Sequence, residues 1–200
     1  MPRKARIIAD GGYYHILTRG NNRKAIFLDN QDYCCFLEII KAYLSKFQVF
    51  LMHYCLMPNH VHFLVRLRKA PDLAKFIQAI LQVYANYYRK KYNSVGYTFQ
   101  NRYVSHPIES DIYLLECARY IERNPLRANI ANNLIDYRFS SFSFYVQGHD
   151  EGIVNCKNPL YLGLGESDSI RRQLYKDYIG VERPYDSLID RIFRLDKEMD

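Results

Sequence analysis

Two histidines in this chain have the spacing of a metal-binding pair. His60 and His62 are separated by one residue, so in a β-strand their side chains point to the same face of the sheet. Two neutral imidazoles side by side can hold a divalent cation. A bare pair of this kind also occurs often without any ligand. The residues around the pair must therefore decide between a metal site and two ordinary strand histidines.

The strands around the histidines separate apolar from polar side chains. With Pro58-Asn59 as the turn of a β-hairpin, residues whose numbers add up to 117 stand opposite one another, so that His62 faces Cys55. The other face is apolar or aromatic, with Val61, Phe63, Val65 and Leu67 opposite Leu56, Tyr54, Met52 and Phe50. Because that face must pack under helices, we expect the histidines on the opposite, open face. Cys55 and His53 share it but are weak ligand candidates, since cysteine favours zinc over the harder metals used with phosphate.

A tyrosine later in the chain could supply a nucleophile. Tyr120 lies in a segment that predicts a helix capped by Asp111 and ended at Asn124-Pro125, because a residue before proline disfavours the α conformation. A phenolic oxygen can form covalent intermediates, although it needs activation by a metal or by cations such as Arg119 or Arg123. Asn124, four residues on, lies on the same helix face. By spacing alone, Tyr120 is better explained as part of an apolar core stripe.

The pattern of the whole chain predicts the scaffold that carries these residues. The predicted elements are a strand at 13–18, a helix at 30–47, strands at 49–56 and 61–67, a helix from Pro71 and an extended stretch at 97–108. This order predicts a ferredoxin-like α+β fold, with a four-stranded antiparallel sheet and two helices on one face. The tyrosine helix follows, and further helices are predicted near 167–179 and 186–198.

Composition and charge favour a nucleic-acid partner. Residues 1–107 hold 16 Lys and Arg against 5 Asp and Glu, whereas residues 108–200 hold 12 against 16, within a net charge of +7. Such asymmetry indicates a face that binds a polyanion, and tyrosines among basic residues, as at 84–92, suit stacking with unpaired bases. No apolar run is long enough to span a membrane. Five cysteines without CxxC spacing fit a reducing cytoplasm better than a disulfide framework. With a nucleic-acid partner, the expected location is cytoplasmic and nucleoid-associated.

Four segments resemble one protein family in the expected order. The run HYCLMPNHVHFLV (53–65) resembles the HUH signature of the single-tyrosine transposases. The run DIYLLECARYIERNPLRANI (111–130) resembles the tyrosine-helix signature of their REP-associated branch. YHILTRGNNR (14–23) and FQNRYVSHPIESD (99–111) are similar to two further family segments. The resemblance covers about residues 10 to 145.

The resemblance implies an activity and a role for each site residue. His60 and His62 would bind Mg²⁺ or Mn²⁺, and Tyr120 would attack single-stranded, hairpin-forming DNA to give a 5′-phosphotyrosine link. Asn124 would be the third ligand, although it is one methylene shorter than the Gln of many relatives. The candidate DNA contacts are Arg19, Asn21, Arg23 and Arg102.

The resemblance also implies a domain organisation. Residues 1–130 would form the catalytic domain and residues 131–200 a partly helical C-terminal extension packed on it. A homodimer is one expected assembly. Two alternatives stay open: a non-catalytic module that binds structured single-stranded nucleic acid, and a metal hydrolase that uses water instead of tyrosine.

Overall fold

The scaffold is a four-stranded antiparallel sheet, seen in a computed structural model that describes residues 8–183. The strands lie in the order β2-β3-β1-β4, with β1 at Tyr13–Arg19, β2 at Val49–Met57, β3 at His60–Leu67 and β4 at Val104–Ile108. The helices are α1 (Asn30–Leu44), α2 (Ala70–Tyr92), α3 (Asp111–Arg127), α4 (Phe142–Gln147), α5 (Pro159–Leu162) and α6 (Asp168–Gly180). The order and pairing are those of the ferredoxin-like fold, as predicted.

Helices α1 and α2 cover one face of the sheet and form the main core with it. Apolar residues recur on one side of each helix, and the buried ones include Phe36, Ile40, Phe76 and Ile80. Asp29 starts α1 with a capping box, in which its side chain accepts from Asp32 N–H and the Asp32 carboxylate accepts from Asp29 N–H. Lys91 near the end of α2 binds both carboxylates at 2.8 Å. The two helices are thereby joined outside the apolar core.

The hairpin β2–β3 has the predicted register near its turn but not further along. His60 pairs with Met57 and His62 with Cys55, as expected. A β-bulge at Met52 then shifts the pairing, so that Leu51 faces Val65. Met52 therefore points away from α1 and α2 and belongs to a second cluster. The prediction that Met52 and Phe50 line the main core was wrong, because strict alternation does not allow for an inserted residue.

The histidine face of the sheet is covered by α3. A second apolar cluster joins this face to the helix through Leu64 and Met57 of the sheet and Cys117 and Ile121 of α3. The expectation of an open face was therefore wrong, since the tyrosine helix packs across it. As a result, His62 is only 2% exposed.

Helix α3 continues through the proline that was expected to end it. Ser110, rather than Asp111, is the N-cap, and the helix runs to Arg127 with Pro125 inside. Proline has no N–H to donate to the carbonyl four residues earlier. The side-chain amide of Asn124 supplies donors at this point, with Nδ2 at 2.8 Å from Tyr120 O and 3.3 Å from Ile121 O. This local compensation lets the helix run one further turn.

The segment after α3 packs against both the sheet edge and α3. Backbone hydrogen bonds join Phe139 and Ser141 to the outer edge of β2, which protects that edge. A fully buried polar cluster lies beneath: Glu122 of α3 accepts hydrogen bonds from His53, Ser141 and Tyr175. The helix predicted near 167–179 is present as α6. The one near 186–198 lies outside the described residues.

Within residues 8–183, none of the helices combines the length and the apolar character needed to cross a membrane.

Candidate catalytic pocket

A pocket of about 190 Å³ lies where the C-terminal half of α3 crosses the start of β3. The side chains that line it include His60, His62, Tyr120, Asn124, Arg19 and Arg127. The β1–β3 register explains part of this grouping, because Arg19 at the end of β1 pairs with His60 at the start of β3. The pocket thus brings together two imidazoles, one phenol, one amide and two guanidinium groups.

His60 is oriented by the hairpin turn. Nδ2 of Asn59 donates to Arg23 O at 3.1 Å, which leaves Oδ1 of the same amide as an acceptor. Nδ1 of His60 lies 2.6 Å from that Oδ1 and must therefore be the donor. With its proton on Nδ1, His60 has a lone pair on Nε2.

His62 is buried against a third histidine. Nδ1 of His62 lies 2.9 Å from Nε2 of His15 on the adjacent strand, and the two rings stack with centroids 5.1 Å apart. Burial, together with His60, His15, Arg127 and Arg19, lowers the pKa of His62 well below its usual value. Burial and then His106 lower the pKa of His15 to about 3. Both rings are therefore neutral at pH 7, the state in which imidazole binds metals.

The Tyr120 ring stands edge-on to both of these histidines. Its centroid is 5.6 Å from that of His62 and 5.7 Å from that of His15. The guanidinium of Arg127, two helical turns further along α3, lies over the ring at 4.9 Å from its centroid. Tyr120 is 7% exposed. Tyr120 is part of the second apolar cluster and also part of the pocket wall. It can therefore be a core residue and a candidate nucleophile at the same time.

The donor set fits a small divalent cation. The Nδ1 atoms of His60 and His62 contact Asn59 and His15, so a metal would have to bind each ring through Nε2. Asn124 uses its Nδ2 on the helix backbone, which leaves Oδ1 as an oxygen donor in the pocket wall. Among the described residues, no three His, Cys, Asp or Glu side chains cluster as a metal site. A site here would rely on two imidazoles and an amide oxygen.

The remaining predicted residues lie in three different places. Asn21 and Arg23 form a short 3-10 turn against the hairpin, beside the pocket rather than in it. Arg102 lines a separate groove of about 610 Å³ between α2 and the loop before β4. Arg119 and Arg123, expected near the tyrosine, instead bind carbonyl oxygens at the end of α6. Neither side chain is among the residues that line the pocket.

Sequence reasoning missed two residues of the site, His15 and Arg127. Arg127 was hidden by the predicted end of α3 at Asn124. Continuing the helix would have placed it seven residues after Tyr120, on the same face. His15 gave no local signal, because its contact with His62 depends on the β1–β3 register across 47 residues. His53 and Cys55 lie outside the pocket lining, and His53 belongs instead to the Glu122 cluster.

The chain was compared with protein-family models, curated sequences and solved structures. The model of a family described as "Transposase IS200 like" matches residues 9–124. No curated protein sequence matches the chain. A structure of the REP-associated tyrosine transposase bound to a REP hairpin matches with a TM-score of 0.64 and 18% identity, covering 79% of this chain and 96% of that one. A putative transposase from Deinococcus radiodurans matches with a TM-score of 0.42 and 16% identity, over 64% and 92%.

The family match spans more than half of the chain and contains both histidines, Tyr120 and Asn124. The first solved structure shares the fold over most of both chains. The chain therefore belongs to the IS200-like transposase family.

Proposed function

We propose that this transposase-family chain cuts and rejoins single-stranded DNA through a covalent bond to Tyr120. The observation that carries the proposal is the Tyr120 ring, which stands 5.6 Å from His62 in the same pocket as Arg19 and Arg127. One small cavity then holds a hydroxyl nucleophile, imidazoles that can bind a metal, and cations that attract a phosphate.

The proposed metal ligands are Nε2 of His60, Nε2 of His62 and Oδ1 of Asn124, holding Mg²⁺ or Mn²⁺. A bound divalent cation of this kind polarises a phosphate oxygen and makes the phosphorus more electrophilic. Arg127 and Arg19 add positive charge where the attacking oxygen and the phosphate carry negative charge. His15 and Asn59 hold the two imidazoles in place.

The proposed reaction conserves one phosphodiester at every stage. Oη of Tyr120 attacks the phosphorus and loses its proton, and the bond from phosphorus to the 3′ oxygen breaks. The products are a 5′-phosphotyrosine and a strand that ends in a protonated 3′-hydroxyl. A second 3′-hydroxyl reverses the step and releases Tyr120, so rejoining needs no external energy.

Hairpin-forming DNA is the proposed substrate. The REP-associated transposase of the same fold is described as bound to a REP hairpin, and the first 107 residues carry the excess of positive charge. We propose that Arg19 contacts the reacting phosphate. Asn21 and Arg23 would contact the strand beside the pocket. Arg102 would contact DNA along its groove, next to Tyr97, which is 86% exposed.

The assembly, domain and location predictions are kept as part of the proposal. We propose a catalytic domain at 1–130 and a C-terminal extension at 131–200, with a homodimer as one assembly. A nucleoid-associated location follows from the proposed DNA substrate.

Adduct formation tests this function directly. The protein is incubated with a pool of labelled hairpin oligonucleotides with randomised single-stranded flanks, with Mn²⁺ or with chelator, and resolved on a denaturing gel. We expect a covalent protein–DNA band that requires Mn²⁺ and disappears in Tyr120→Phe. Tyr113→Phe is the matched control, because Tyr113 lies on the same helix but is 44% exposed; it should form the band normally.

The two alternative functions, a metal hydrolase that uses water and a non-catalytic binding module, give different results. Cleavage without any adduct, in both wild-type and Tyr120→Phe protein, would indicate water as the nucleophile. Tight binding without cleavage, unaffected by chelator, would indicate a binding module.

A further inference from the structure

We propose that His15 is a positioning residue that fixes His62 in the one tautomer able to bind metal through Nε2. The inference rests on the proposed function, because it concerns a ligand of the proposed metal site. Its basis is the 2.9 Å contact between Nδ1 of His62 and Nε2 of His15, both of which are buried.

The hydrogen bond has two possible directions with opposite consequences. If Nε2 of His15 were the donor, His62 would accept at Nδ1, and as a neutral ring it would carry its proton on Nε2. His62 could not then bind a metal at that nitrogen. If His62 donates from Nδ1, its Nε2 keeps the lone pair. Binding by His62 therefore requires His15 to present an unprotonated Nε2.

The neighbouring contacts hold the His15 ring in place beside His62. Its ring stacks on His62 with an interplanar angle of 18° and meets the Tyr120 ring at 76°. One buried side chain thus contacts both a proposed metal ligand and the proposed nucleophile. His60 has an equivalent partner in Asn59, so each histidine of the pair has its Nδ1 position defined by another residue. Residues that orient metal ligands in this way typically change metal affinity by 10- to 100-fold when mutated.

Two variants separate the hydrogen bond from the packing. His15→Phe keeps a planar ring but cannot accept from His62, whereas His15→Gln retains an acceptor of similar reach. His106→Phe is the control, because His106 pairs with His15 across the β1–β4 ladder but does not line the pocket. Each full-length protein is compared by thermal melting, by ¹⁵N NMR of the imidazole tautomers without metal, and by Mn²⁺ titration followed by electron paramagnetic resonance.

We expect wild-type His62 to carry its proton on Nδ1. In His15→Phe the Nε2-protonated form of His62 should grow, and Mn²⁺ binding should weaken by about 10- to 100-fold. His15→Gln should recover most of the affinity, and His106→Phe should match wild type. Should His15→Phe not fold, the tautomer of His62 in the wild-type protein decides the matter alone.

Two results would overturn the proposal. One is an Nε2-protonated His62 in the wild-type protein, and the other is unchanged Mn²⁺ affinity in folded His15→Phe. Failure of the proposed function is distinguishable, because the wild-type protein itself would then form no covalent adduct, whatever the effect of replacing His15 on Mn²⁺ affinity.

Discussion

Asn124 combines an observed helix contact with a proposed role as metal ligand. Its Nδ2 donates to Tyr120 O and Ile121 O, where Pro125 leaves the backbone short of a donor. Its Oδ1 is the proposed metal ligand. The residue before the proline therefore stabilises the helix turn that carries the proposed nucleophile, and a shorter side chain than Gln suits this contact with its own helix.

Replacing Asn124 should therefore affect stability even without metal. We expect Asn124→Ala to lower the free energy of unfolding by about 1 kcal/mol, the usual contribution of a lost hydrogen bond. Urea unfolding in the presence of chelator measures this, with Asn132→Ala at an exposed loop position as the control. Equal stability of Asn124→Ala and wild type would contradict the helix-stabilising role.

At the scale of single residues, the sequence predicts contacts within one hairpin well and contacts between distant strands poorly. The pairing of His62 with Cys55 followed from the turn and from two-residue alternation, and it is correct. His15 could not be predicted, because no local pattern specifies which side chain of β1 contacts His62. Tyr120 gave the opposite difficulty: its helical spacing predicts a core residue, and only the motif around it indicated chemistry.

Helix α3 is held in place by the segment that follows it as well as by the sheet. Glu122, two residues after Tyr120, accepts from Nδ1 of His53 at 2.9 Å, from Ser141 Oγ at 2.6 Å and from Tyr175 Oη at 2.9 Å. Arg123 of the same helix binds the last carbonyl oxygens of α6. The position of the tyrosine helix over the sheet therefore depends on α6 as well as on its own apolar face.

The Glu122 cluster should be a major source of stability. We expect Glu122→Gln to lower the free energy of unfolding by about 2–3 kcal/mol, because a fully buried carboxylate loses charge-assisted hydrogen bonds and gains an amide donor that faces other donors. Urea unfolding measures the difference, and Glu166→Gln, at an exposed position, is the control. A change below 0.5 kcal/mol, the ordinary range for surface substitutions, would contradict this role.

Element boundaries were predicted less well than element order, for identifiable reasons. The rule that a helix ends before proline failed at Pro125, because Asn124 supplies the missing donors. The bulge at Met52 is invisible to an alternation pattern. The order of strands and helices was correct, since each element is long enough for its hydrophobic period to be recognised.

At the scale of the whole molecule, the arginines proposed to contact DNA lie on more than one surface. Arg19 lines the candidate catalytic pocket, whereas Arg89 and Arg102 line the groove between α2 and the loop before β4. The loop joins the two, because Gln100 N donates to Arg19 O at 2.8 Å. A single strand could therefore contact both surfaces.

Salt dependence should report these contacts one by one. DNA affinity should fall with salt concentration, and Arg102→Ala should reduce the slope of log affinity against log salt by about 0.7, the value for one single-strand phosphate contact. The measurement uses fluorescence anisotropy with Tyr120→Phe protein, which prevents cleavage. Arg138→Ala is the control, because Arg138 is 66% exposed in the acidic half of the chain. A lower slope in Arg138→Ala, with none in Arg102→Ala, would contradict the assignment of the groove.

The most direct test of the central claim is to identify the residue that carries the DNA. The Mn²⁺-dependent adduct is digested with nuclease and trypsin, and the modified peptide is sequenced by mass spectrometry. Trypsin cuts after Arg119 and Arg123, and Tyr120 is the sole hydroxyl-bearing side chain between them. We predict a nucleotide 5′-phosphate on Tyr120. A nucleotide on any other residue, or cleaved DNA with no modified peptide, would contradict the account.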